Sequence, residues 1–187
     1  MRLFVGIGVP DAAADELDRA VAPLRPGRPD LRWTGREAWH LTLAFLGEVD
    51  EAAVAKLTPR LTRAAARHPC LTLSLGSAGA FPTPHRARVL WTGIQGDVRT
   101  LAALAASVAA GARRAGALPA SEGRSFRPHL TLARCRAPAD VRPLVETLSG
   151  FAGTPWTATG IYLIRSRLSG SPRYETLAAC PLRTPAS

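Results

Sequence analysis

Lysine is almost missing from this chain: Lys56 is the only one among 187 residues. Cysteine is scarce and scattered. Cys70, Cys135 and Cys180 form no CxxC pair and no Cys/His cluster, so the spacing of a zinc site is lacking. Unpaired thiols fit a reduced, cytoplasmic setting, which is the expected location. Aromatic residues make up only 6% of the chain, so any stacking surface must come from a few named side chains. No apolar stretch approaches the roughly 20 residues that span a membrane. The run Leu3 to Ile7 is too short for a signal-peptide core and alternates with glycine like a strand.

Arginine supplies what lysine does not. The net charge is +10 and the pI about 11.2, which favours a polyanionic partner. A GC-rich coding bias can account for arginine over lysine, but not for the positive balance itself. Hydrophobic residues reach 47%, enough for a packed core. Residues 1–187 are expected to form a single bilobal domain.

Periodicity and breakers predict strands over Leu3–Val9, Leu31–Thr34 and Trp39–Leu46. Further strands are predicted over Leu71–Leu75, Ala87–Ile94, Pro128–Cys135, Thr157–Ile164 and Tyr174–Ala179. Helices are predicted from a cap at Asp11 to Leu24, from a cap at Asp50 to Arg67, over Val98–Ala117 and over Asp140–Leu148. A polar loop is expected over Pro119–Arg127, and a frayed tail from Thr184. Hairpin-like strand pairs interrupt the helix–strand alternation, which points to α+β with mixed or antiparallel sheets rather than a doubly wound fold.

One five-residue word occurs twice. His40-Leu41-Thr42-Leu43-Ala44 returns 89 positions later as His129-Leu130-Thr131-Leu132-Ala133, and the chain has four histidines in all. On a strand, side chains alternate between faces, so each His and Thr share one face and the leucines the other. Leucines on the buried side anchor the strand, while an imidazole and a hydroxyl point outward together. Similar element order follows each copy, an internal repeat that suggests two related lobes. Two imidazoles can act as the base and the acid of phosphodiester cleavage, because their pKa lies near working pH. The hydroxyls of Thr42 and Thr131 can hold non-bridging phosphate oxygens, and Arg127 and Arg134 can supply positive charge. No metal or cofactor is needed by such a scheme.

Other residues are read more plainly. His68 at a helix end and His85 in a Pro-rich loop are expected to be structural. Strict alternation puts Phe45 on the core side, unless the strand twists or ends there and lets it reach the cleft. Tyr174 and Phe126 can stack on a base, with core packing as good a reading for Phe126. Trp33, Trp39, Trp91 and Trp156 are expected to pack against the sheets. Arg60, Arg63, Arg67, Arg113 and Arg114 read as solvated helix faces, and Arg165, Arg167 and Arg173 as a possible groove lining.

The start Arg2-Leu3-Phe4-Val5-Gly6-Ile7, the extended words His40 to Gly47 and Arg127 to Arg134, and the late pair Arg173-Tyr174 resemble the 2H phosphoesterases. Within them the chain is similar to the bacterial RNA 2',3'-cyclic phosphodiesterases, also called 2'-5' RNA ligases. The resemblance implies an α+β fold of two pseudo-symmetric lobes, mainly antiparallel sheet with helices outside and a cleft between. It implies metal-free hydrolysis of a 2',3'-cyclic phosphate to a 2'-phosphate, and it extends to joining of 2'-5' linkages in some members. It assigns His40 as the proton donor to the leaving 3'-oxygen and His129 as the base that activates water. Thr42, Thr131 and Arg134 would bind phosphate. The expected partners are RNA ends or small cyclic-phosphate nucleotides, with no membrane, and the expected state is a monomer. Two alternatives stay open: a 2H enzyme for a small cyclic nucleotide or an ADP-ribose cyclic phosphate, and a non-catalytic RNA-end binding module.

Overall fold

The computed structural model describes residues 1–117, 119, 125–167 and 173–184. Among these, one sheet has the order β3 (His40–Glu48), β1 (Arg2–Gly8), β8 (Gly160–Ser166), β9 (Tyr174–Pro181). The second has the order β2 (Leu31–Trp33), β6 (His129–Ala139), β5 (Ala87–Gly96), β4 (Leu71–Phe81), β7 (Trp156–Ala158). The ladders within both sheets are antiparallel. The helices are α1 (Asp11–Val21), α2 (Glu51–Ala65), α3 (Val98–Arg114) and α4 (Arg142–Leu148). The α+β class with antiparallel sheets is as the sequence led us to expect.

The helices end where local chemistry dictates. Asp50 caps α2, its carboxylate accepting from the Ala53 amide at 2.7 Å. Asp11 lies within the first turn of α1 instead, and Pro10 occupies the cap without a side-chain bond. Leu57 and Leu61 of α2 and Leu101, Leu104 and Val108 of α3 are fully buried. They join Leu3, Val5, Leu41 and Leu163 of the first sheet and Leu73, Leu90 and Leu130 of the second in a continuous core. Helix α3 touches both β3 and β4, so the core runs under both sheets. Burial of each such leucine stabilises the fold by about 1.5–3 kcal/mol.

Each sheet draws on both ends of the chain: β8 and β9, from the C-terminal part, complete the sheet of the first motif, and β2, from the N-terminal part, edges the sheet of the second. The stretch Thr157–Ile164, expected as one strand, is two. Trp156–Ala158 pairs with β4, and after a break at Thr159 Gly160–Ser166 pairs with β1 in the other sheet. A periodicity reading sees only alternation, and alternation continues across a change of partner. Strand β4 also runs on to Phe81, through a Gly- and Ala-rich stretch irregular at Ser77, whose φ is +57°. The loop expected over 119–127, the residues 168–172 and the tail 185–187 lie wholly or partly outside the described residues.

Candidate active site

Both motif strands carry the same irregularity at the same place. On β3, Gly6 pairs with Thr42 and Val5 with Ala44, leaving Leu43 as an extra residue. On β6, Trp91 pairs with Thr131 and Leu90 with Ala133, leaving Leu132 extra. A bulge of this kind turns the side chains beyond it to the other face. The buried residues are accordingly Leu41, Leu43 and Ala44 in one copy and Leu130, Leu132 and Ala133 in the other. Phe45 is therefore 46% exposed on the His40 face. The preference for Phe45 as a core residue fails for this reason, and its side chain lies on the His40 face of the strand. The bulge brings Arg134 onto the His129 face in the same way. Strands β3 and β6 touch across the gap between the sheets, so the two motif faces border one cleft.

Aromatic side chains surround His40. Phe4 stacks on its ring at 4.4 Å and 25°. Tyr174 meets the imidazole edge-on at 5.3 Å and Phe4 at 5.7 Å, and Phe45 lies 6.1 Å from Phe4. Gly6 leaves the space for this stack, since a Cβ there would stand 3.0 Å from the Leu41 carbonyl oxygen and 3.7 Å from His40 Cδ2. Burial pushes the His40 pKa down from its usual 6.5 to about 4, with a backbone bond to Ala38 acting the other way.

His129 is held differently. Its Nδ1 lies 2.6 Å from the Arg127 carbonyl oxygen, which fixes Nδ1 as donor and leaves Nε2 with a lone pair. Phe81 meets the ring edge-on at 4.9 Å, and Trp91 tilts against it at 6.2 Å. Burial lowers the His129 pKa as well, opposed by the Arg127 carbonyl and reinforced by repulsion from Arg134. The Arg127 guanidinium stands over the Phe81 ring at 5.8 Å. Arg127 thus orients His129 with its backbone and rests its charge on an aromatic face. Thr42 and Thr131 are half-buried, and their hydroxyls have no partner among the described residues.

Several site neighbours carry no sequence signal. Phe4, Phe81 and Tyr162 lie outside the repeated word, and Tyr162 reaches the His40 face through its pairing with Gly6. Trp91, expected among the sheet-packing tryptophans, stands on the motif face opposite Thr131. Only the strand register reveals them. Other residues fall elsewhere. Phe126 packs against the core. Arg165 and Arg167 are both tied to Glu175, at 2.6 and 2.7 Å, so they are not free to line a groove. His68 bonds Ser107 at 2.8 Å, and His85 is exposed in the short turn Pro84–Arg86. Arg60, Arg63, Arg67 and Arg114 share a shallow depression on the α2–α3 seam. A larger depression of about 320 Å³, lined by Val9, Asp11, Ala14, Arg36, Glu37 and Trp39, contains neither motif histidine.

Comparison with known proteins gives a consistent answer. Residues 9–170 match the 2'-5' RNA ligase superfamily. An RNA 2',3'-cyclic phosphodiesterase of Escherichia coli K12 is 33% identical over 91% of this chain and 93% of its own length. One from Geobacillus stearothermophilus is 28% identical over 96% of this chain, which spans only 56% of that relative. Crystal structures of E. coli LigT superpose with TM-scores of 0.77 in apo form and 0.75 complexed with 3'-AMP, at 28% and 29% identity. Each covers 97% of this chain, and the chain covers 97% and 96% of them. The chain belongs to the 2'-5' RNA ligase superfamily, the 2H phosphoesterases.

Proposed function

We propose that residues 1–187 form one bilobal phosphoesterase unit that hydrolyses RNA 2',3'-cyclic phosphate ends to 2'-phosphates without a metal. The observation that carries this reading is the duplicated bulged strand, in which an imidazole, a hydroxyl and a third side chain share one face of each motif strand. His129 Nε2 takes a proton from water as the water oxygen attacks phosphorus. The P–O3' bond breaks, and His40 gives its proton to the leaving 3'-oxygen. Thr42 and Thr131 donate to the non-bridging oxygens, and Arg134 offsets the charge that grows there. Each well-placed acid or base contributes about 10²–10⁴-fold.

The surroundings of His129 suit the base. Arg134 disfavours a proton on His129, and a base must start neutral. His40 has aromatic neighbours, and the Phe4 face favours an imidazolium through its ring quadrupole. Burial keeps His40 neutral at pH 7, so it is charged as the phosphate arrives and favours the protonated form. Phe45 and Tyr174 offer stacking surface to the terminal base. With a 5'-hydroxyl in place of water, the same displacement would leave a 2'-5' linkage.

The test is incubation of RNA ending in a 2',3'-cyclic phosphate with chelator present. The expected product is a 2'-phosphate, with turnover lost in His40→Ala and in His129→Ala. A 3'-phosphate would overturn the division of roles, loss in chelator the metal-free scheme, and near-normal turnover in either variant the reading itself.

A further inference from the structure

Strand β2 adds to the site a residue that the repeated word does not contain. Arg32 pairs directly with Arg134 across the β2–β6 ladder. Directly opposed residues of an antiparallel pair share a face. Arg134 shares its face with His129 and Thr131, because Val89 and Trp91 oppose Arg134 and Thr131 on successive same-side positions of β5. Arg32 therefore stands on the cleft face, one strand further out than Arg134. Its neighbours in β2 face the other way: Leu31 is buried, and Trp33 pairs with the buried Ala133.

Two guanidinium groups directly opposite each other repel. Some arginines of the chain are held by carboxylates: Arg25 by Asp18, Arg28 by Asp30, Arg36 by Asp11 and Asp15, Arg142 by Asp140, Arg165 and Arg167 by Glu175. Among the described residues, neither Arg32 nor Arg134 has a carboxylate or a hydrogen-bond acceptor. Both are exposed, and no aromatic ring carries either charge. The arrangement suits an oxyanion entering between them, and guanidinium forks match phosphate oxygens well.

We infer that Arg32 forms a second phosphate subsite, which binds the phosphodiester one nucleotide away from the reacting phosphate. This rests on the function proposed above. The reacting phosphorus lies beside Thr131 and within reach of Arg134. With one residue absorbed by the bulge, Arg134 is about two strand steps from Thr131, or roughly 6.6 Å. Arg32 lies beyond it by one inter-strand spacing of about 4.8 Å. That places its guanidinium past the reacting group, at the range of the next backbone phosphate. The aromatic wall of Phe4, Phe45 and Tyr174 lies on the opposite sheet, so the terminal base and the rest of the chain leave the reacting centre in opposite directions. The site accordingly selects an RNA end over a mononucleotide by one additional charge contact.

The experiment compares a nucleoside 2',3'-cyclic phosphate with a dinucleotide carrying one further 5'-side phosphodiester. The readout is the ratio of kcat/KM for the two substrates. In Arg32→Gln this ratio should fall about tenfold, within the range for a charge-assisted hydrogen bond. The salt slope for the dinucleotide should shrink by about 0.7, as for one single-strand phosphate contact. Arg32→Lys should recover part of the ratio. An unchanged ratio in Arg32→Gln overturns the subsite, as does an equal loss on both substrates. Absence of turnover of both substrates by the unmodified protein overturns instead the underlying function.

Discussion

Replacing His40 with glutamine should flatten the acid side of the stability curve. Burial holds the folded-state pKa of His40 at about 4 against a usual 6.5. The folded protein thus binds a proton at this ring less readily than the unfolded chain does. The stability tied to the neutral ring is fully present above pH 6.5 and is lost as pH falls towards 4. The fall from 6.5 to about 4 corresponds to about 3 kcal/mol, of which about 2 kcal/mol is already lost at about pH 5. That is a large share of the 5–15 kcal/mol typical of a folded domain. Urea unfolding of both proteins at about pH 7.5 and about pH 5 measures it, with the change between the two pH values as the readout. A general weakening by the substitution cancels in that change, and the contributions of His129 and His68, which have the same sign, cancel when the changes of the two proteins are compared. Parallel losses of stability in the two proteins would refute the claim that His40 is held neutral by its burial.

The same depressed values predict a separation between two pH profiles. The productive form has one proton on the imidazole pair, and both free-enzyme pKa values lie below 6.5, so kcat/KM should decline on the alkaline side below about pH 6.5. Bound phosphate raises both values, so the kcat profile should be displaced to higher pH, and coincident profiles would contradict this. Gly79→Ala places a methyl group inside the Trp91 ring and should displace Trp91 from His129. A loss of about 1–3 kcal/mol in urea unfolding, together with reduced turnover, is expected.

How far the sequence could be read depends on whether a feature is local. The His40 and His129 faces, the leucine anchors and the Asp50 cap are set by neighbours a few positions away, and alternation and capping rules find them. The position of Phe45 is not, because a bulge leaves no mark in a run of Leu, Ala and Phe. Nor is the division of Trp156–Ala158 from Gly160–Ser166, since a strand's partner is chosen by packing at long range. Phe4, Phe81 and Trp91 belong to the cleft only because β1, β4 and β5 pair in a particular register. The same holds for Arg32, whose neighbour Arg134 lies more than a hundred positions away in sequence.

The bulge also explains why the repeated word stops where it does. Through Ala44 and Ala133 the two copies have the same duties: leucines and alanine fill the core, and His and Thr face the cleft. The next position is the first that the bulge returns to the cleft, and there the copies differ, with Phe45 on one wall and Arg134 on the other. Packing demands are equal on both walls up to this point, so identical residues serve. A ribonucleotide end is not symmetric: it has an apolar face on its base and a charge on its phosphate. A symmetric scaffold that binds such an end must break its symmetry at cleft-facing positions outside the acid–base pair, and positions 45 and 134 meet that condition.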